Sequence, residues 1–154
     1  MPSTTVQVRS FLAKYSPAIA ADVQFARRAL KRLVPRGFEL VYDNYNTLAF
    51  GISPTPRAGG AIVSIAAYPQ WVTLFFLHGK GLKDPEGLLQ GGGARVRSIR
   101  LSPVRLINTE PVQALLRQAL EPHQAELAVA PRLSSIVKSV SARQRPRRPA
   151  LRKG

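Results

Sequence analysis

The chain has 154 residues, of which 45% are hydrophobic and 20% charged, the balance of a packed globular domain. It has no cysteine, which excludes disulfides, zinc–thiolate sites, iron–sulfur ligation and thiol nucleophiles. The net charge is +15, and eight of the 23 basic residues but no acidic one lie between Arg132 and Gly154. We therefore expect one folded core followed by a cationic tail.

The distribution of apolar residues contains no signal for export or membrane insertion. No run of about 18 apolar residues occurs, and the first twenty residues hold no long apolar stretch. We expect a cytoplasmic protein without a membrane span.

The start of the chain predicts two helices. Helical spacing defines a first buried stripe of Val8, Phe11, Leu12 and Tyr15, with Ser3 or Thr4 available as an N-cap. A second helix is predicted from Ser16, a suitable N-cap before Pro17, to the break at Pro35. Its apolar stripe consists of Ile19, Val23, Ala26, Leu30 and Leu33. Its other face carries cations that are usually solvated, namely Arg27, Arg28, Lys31 and Arg32.

From Phe38 onward, short runs rich in β-branched and aromatic residues predict strands. We expect five, at residues 38–42, 47–52, 61–67, 71–78 and 95–101. Proline- and glycine-containing stretches at 53–60 and 68–70 separate three of them. Because consecutive runs are joined by turns, the sheet is predicted to be antiparallel.

The fourth run, residues 71–78, is largely apolar on both sides. Such a strand lies inside a sheet, covered by helices on one face and by a loop, another layer or a second subunit on the other. A homodimer formed through a sheet face is therefore one possible partner arrangement.

A third helix is predicted after Thr109, ending near Pro122 or Ala128, with a buried stripe of Val112, Leu115, Leu116 and Ala119. The predicted fold class is thus α+β: two N-terminal helices, an antiparallel sheet of about five strands and a C-terminal helix, within residues 1–130. Residues 131–154 are expected to form a flexible, disordered basic tail. Within it, residues 132–142 have the spacing of a short, marginal amphipathic helix.

The residues of three segments resemble the core pattern of the YdhG-like domain family. These segments are YDNYNTLAFG at 42–51, IVSIAAYPQWVTLFFLHG at 62–79 and DPEGLLQGGGARVRSIRL at 84–101. The resemblance covers roughly residues 5–120. It implies a bacterial domain of unknown function without a defined catalytic set, in a family of which one branch is described as a frataxin-like iron chaperone. The eight acidic residues are scattered here, which argues against a cluster of oxygen ligands for iron.

Catalytic and metal-binding motifs are not found. His78 and His123 are the only histidines, and neither has the spacing of a zinc or nucleophile motif around it. His78 as a general base is weighed against a strand-end residue whose polar atoms bond backbone groups. We expect no enzymatic activity, no cofactor and no metal.

Two binding sites are predicted from clustered residue types, without a specific sequence motif. Clustered polar and aromatic side chains indicate a small-molecule site at Tyr42, Asn44, Tyr45, Trp71 and His78, although residues 42–46 are more typical of a plain turn. Cations beside Gly91-Gly92-Gly93 and in the tail indicate anion contacts at Lys80, Arg95, Arg97, Arg143, Arg145, Arg147 and Arg148. A hairpin entrance and a solubilising appendage are the alternative interpretations.

Three functional hypotheses follow. The first is a non-enzymatic binding module of the YdhG-like type, which holds a small ligand or a protein partner. The second is non-specific association with nucleic acid or another polyanion, in which cations of the basic tail and of the second helix contact phosphates. The third, by family resemblance alone, is an iron chaperone.

Overall fold

The computed structural model describes residues 2–149 and contains a mixed α+β fold around one six-stranded sheet. The helices are α1 (Thr4–Leu12), α2 (Pro17–Leu33), α3 (Glu110–Leu120) and α4 (Gln124–Val129). The strands are β1 (Phe38–Asp43), β2 (Leu48–Ser53), β3 (Val63–Ala67), β4 (Val72–Phe76), β5 (Arg97–Arg100) and β6 (Ser134–Val140). No helix among the described residues has the length and apolar character needed to cross a membrane.

The two N-terminal helices begin where the sequence predicts them. Ser3 Oγ accepts a hydrogen bond from the Val6 amide, and Ser16 Oγ accepts one from the Ile19 amide. Each bond satisfies one of the amides that the first turn of a helix leaves without a partner. The predicted third helix is present as α3 and continues through a 3-10 turn into α4.

The strands follow the order β5-β4-β3-β2-β1-β6. Strands β1 and β6 pair in parallel. The other four pairs are antiparallel, namely β1–β2, β2–β3, β3–β4 and β4–β5. The β4 strand lies inside the sheet, as its apolar character predicts. The expectation of a purely antiparallel sheet is wrong, because it did not include β6.

Strand β6 also corrects the expected disorder of the C-terminal segment. Residues 134–140, predicted as disordered tail or as part of a short helix, pair with β1 from Phe38↔Ser134 to Asp43↔Val140. The spacing of Ile136 and Val137 fits a helix as well as a strand. Pairing with the edge of β1 favours the strand, because it supplies hydrogen-bond partners for the backbone of β6. A helix of this length would be only marginally stable on its own.

The sheet has one face packed against the helices. Val41, Phe50, Ile65, Leu74 and Phe76 point to that side and are at most 1% exposed. Alternate residues point to the opposite side, where Tyr42, Ser64 and Phe75 are only partly buried. We call this second side the open face. The loop of residues 54–62 crosses part of it.

Candidate binding cavity on the open face of the sheet

A cavity of about 440 Å³ lies on the open face. Its volume is within the usual range for small-molecule sites. Strands β1, β2 and β3, the 54–62 loop, the end of β4 and the loop before β5 all contribute side chains or backbone to it. The lining consists of Tyr42, Gly51, Ala58, Gly59, Ala61, Ser64, Leu77, His78, Arg95 and Val96.

Small residues form the floor of the cavity. Gly51 of β2 is the direct cross-strand partner of Ser64 of β3. A Cβ atom on Gly51 would lie only 2.9 Å from the Cβ of Ala61, closer than such atoms approach. The glycine inside the strand therefore allows the 54–62 loop to close against the sheet.

The β4–β5 connection is fixed by backbone contacts at the cavity rim. The Leu77 amide donates to the Ile62 carbonyl at 3.1 Å, and the Lys80 amide donates to the Arg95 carbonyl at 3.0 Å. Gly79 packs so tightly against Arg97 that an added Cβ would lie 2.6 Å from the Arg97 Cβ. These contacts place His78 and Arg95 beside the same cavity.

Tyr42, His78 and Arg95 supply the polar groups of the lining. Tyr42 is half-buried, whereas His78 and Arg95 are exposed. No acidic residue in the described range 2–149 belongs to the lining. A cation with no opposing carboxylate, next to a phenol and an imidazole, favours a ligand that carries negative charge and a hydrogen-bond acceptor. Leu77 and Val96 provide apolar contact for the remainder of such a ligand.

The cavity thus unites residues that the sequence assigned to two separate sites. Tyr42 and His78 came from the predicted small-molecule set, and Arg95 from the predicted anion set. Lys80 is exposed but does not line the cavity. Arg97 has another role, because its Nη1 donates to the carbonyls of Gly93 at 2.7 Å and Val96 at 2.8 Å and so shapes the loop.

The other predicted ligand residues lie at the opposite end of the sheet. Asn44 and Tyr45 belong to the β1–β2 turn, closed by the Asn44 amide donating to the Thr47 carbonyl. Trp71 precedes β4 in the β3–β4 turn, where its ring stacks on Tyr68 at 5.2 Å and carries the Arg100 guanidinium at 4.2 Å. Because β1 to β4 alternate in direction, both turns lie at one end of the sheet, whereas His78 follows β4 at the other end.

The C-terminal cations divide into two groups. Arg143, Arg145 and Arg148 are exposed, and Arg148 donates to the carbonyls of Ala13 and Lys14. Arg147 is only 3% exposed and lies against Asp43. Its charge is therefore neutralised inside the protein and not accessible to an external anion. Arg152 and Lys153 lie outside the described residues.

Among residues 2–149, no group of three histidine, aspartate or glutamate side chains lies close enough together to bind a metal ion. Asp84, half of the one close acidic pair in the sequence, accepts hydrogen bonds from the amides of Leu88 at 2.9 Å and Leu89 at 2.8 Å. Both of its oxygens therefore hold the following loop.

Sequence reasoning missed Gly51, Ala61 and Ser64, which create the space of the cavity. A glycine between apolar residues of a strand is the one signal that could have indicated a close backbone or loop approach. Ala61 and Ser64 gave no signal of their own.

Comparison of the chain with models of protein families, with curated protein sequences and with solved structures gave no match in any of the three.

Proposed function

We propose that this protein is a non-enzymatic binding module of the YdhG-like type whose ligand is a small organic anion. The observation that supports this is the cavity on the open face, where Tyr42, His78 and Arg95 surround a floor of small residues without any carboxylate. The expected ligand carries a carboxylate or phosphate for Arg95 and an apolar or aromatic part for Leu77 and Val96.

The absence of a nucleophile beside His78 in the lining favours binding over catalysis. Ser64 is the one lining residue with an aliphatic hydroxyl, and it lies on the floor in β3. Among the described residues, His78 has no hydrogen bond to Ser64 or to an orienting carboxylate, which a nucleophile–base arrangement requires.

The proposal is tested by amide NMR titration with four aromatic probes of similar size. Benzoate and phenyl phosphate are anionic, benzyl alcohol is neutral and benzylamine is cationic. We expect the two anions to shift the amides of Gly51, Ser64 and Val96, whereas the neutral and cationic probes have little effect. Arg95→Ala should weaken the anion response several-fold, because it removes the guanidinium that lines the cavity.

Two further variants make the test specific. Arg57→Ala removes an exposed arginine from the neighbouring 54–62 loop, outside the cavity lining, and should leave binding unchanged. Ser64→Leu should fill the floor and abolish the response while the protein stays folded, as judged by its melting temperature. Equal responses to benzylamine and benzoate, or shifts centred away from the cavity, would contradict the proposal.

A further inference from the structure

A second concave surface lies on the other side of the sheet, between α1, α2 and β6. It consists of two adjoining cavities of about 430 and 210 Å³, which share Gln24, Arg27 and Ser135. Together they form one elongated cleft, which we call the β6 cleft. It does not overlap the cavity on the open face.

The β6 cleft is strongly cationic. Arg9 of α1 and Arg27, Arg28 and Lys31 of α2 line it. Glu39 is the one acidic residue of the lining; it is 6% exposed and is bound by Arg27 through two hydrogen bonds of 2.6 and 2.9 Å. Arg27 and Glu39 therefore neutralise each other, and three cations remain.

Those three cations point outward and lack internal partners. Arg9, Arg28 and Lys31 are exposed, and none of them has a salt bridge to a residue in the described range 2–149. Three unpaired positive charges around one cleft repel each other, and an anion would remove that repulsion. We therefore do not regard these three cations as merely an ordinary solvated helix face.

Neutral hydrogen-bond donors complete the lining. Hydroxyl groups come from Thr4 and Thr5 at the start of α1 and from Ser134 of β6, and Gln24 adds an amide, whereas the Ser135 hydroxyl already donates to Glu39 Oε1 at 2.6 Å. Hydroxyls, amides and guanidiniums are the groups that contact phosphate oxygens in nucleic-acid complexes. A single phosphate would occupy only one of the two adjoining cavities, whereas a strand supplies a phosphate to each.

We infer that the β6 cleft binds the phosphate backbone of a nucleic acid without reading its sequence. No aromatic side chain among the described residues lines the cleft, so base stacking makes no contribution there. The site keeps the second-helix part of the nucleic-acid hypothesis, through Arg28 and Lys31, and replaces the tail by Arg9 of α1, since Arg147 of the tail is buried.

The test is the salt dependence of binding to a fluorescent 20-base-pair DNA duplex and to a single strand of the same length. Replacing Arg9, Arg28 and Lys31 together by alanine should lower duplex affinity about tenfold or more at low salt. The slope of log binding constant against log salt should become shallower by about 2.7, from about 0.9 per lost phosphate contact. Scrambling the base sequence should have no effect.

A matched control removes the same charge from another part of the surface. Arg57, Lys83 and Arg105 are exposed and lie outside the β6 cleft, and their triple alanine variant should keep the slope of the natural protein. Equal losses in the two triple variants would mean that net charge alone attracts DNA and would overturn the inference. It would also fail if polyglutamate or inorganic phosphate competed as well as DNA at equal charge, or if Arg143, Arg145 and Arg148 carried the affinity instead.

Discussion

Arg147 Nη2 lies 3.1 Å from Asp43 Oδ1, and the two side chains are only 2% and 0% exposed. The other carboxylate oxygen of Asp43 accepts a hydrogen bond from Lys14 Nζ at 2.5 Å. The Arg147 guanidinium also donates to Tyr15 Oη at 2.7 Å and to the carbonyl of Asn44. One buried arginine thus joins the C-terminal segment to the end of α1 and to the end of β1.

Arg147→Ala should lower the free energy of unfolding by about 3 to 5 kcal/mol, because it leaves Asp43 buried with Lys14 as its remaining partner. Urea unfolding measures the difference. Arg143→Ala, at an exposed position four residues earlier, is the matched control and should stay within about 0.5 kcal/mol of the natural protein. Equal stabilities of the two variants would contradict the buried contact.

Strand β6 should be required for stability. Leu133 and Val137 pack against the core, and β6 pairs with β1 from Ser134 to Val140, with one register shift after Val137. Val137→Ala removes two methyl groups that pack against the core and should cost about 1 kcal/mol. Val140→Ala, at a position that is 52% exposed, should have little effect. A deletion of residues 132–154 that left the melting temperature unchanged would show that β6 does not stabilise the domain.

Local patterns predicted the helices and the five consecutive strands because each has its own periodicity and its own caps or turns. Ser16-Pro17 and the run at 71–78 are examples in which one segment contains the whole signal. The position of β6 depends on the unpaired edge of β1, almost a hundred residues earlier. The burial of Arg147 depends likewise on Asp43, and composition alone places both in a disordered tail.

The same distinction applies to the candidate site. Tyr42, His78 and Arg95 could be selected by residue type, because phenol, imidazole and guanidinium groups are typical of binding sites. Their grouping could not be predicted, because it requires the loop at 54–62 to fold against Gly51 and the β4–β5 loop to return beside it. Trp71 was selected by the same criterion, but the strand directions place it at the far end.

Two adjacent phenylalanines of β4 should differ in their contribution to stability. Phe76 is 0% exposed in the core below the helices, whereas Phe75 is half-buried on the open face. Phe76→Ala should cost about 3 to 5 kcal/mol. Phe75→Ala should cost about 1 to 2 kcal/mol, because folding buries less of the Phe75 side chain than of the Phe76 side chain. Thermal and urea unfolding compare them directly, and the reverse order would invert the assignment of the two faces.

Tyr15 should be the tyrosine through which alkaline pH destabilises the fold. Burial raises the pKa of Tyr15 above its ordinary value of 10.0 and outweighs the hydrogen bond from Arg147, which lowers it. The folded pKa therefore lies above the unfolded one. The stability linked to the neutral phenol is complete below about pH 10 and is lost as the pH rises through the folded pKa.

Ultraviolet titration of tyrosinate measures this effect. The protein has four tyrosines, and Tyr15→Phe should remove the step that titrates at the highest pH. Tyr45→Phe, at a position that is 51% exposed, is the matched control and should keep that last step. Near neutral pH, Tyr15→Phe should also cost about 1 kcal/mol, since Tyr15 Oη no longer donates to the Ala67 carbonyl. If the highest step persisted in Tyr15→Phe, another phenol would be responsible for it, and the alkaline loss of stability could not be assigned to the burial of the Tyr15 phenol.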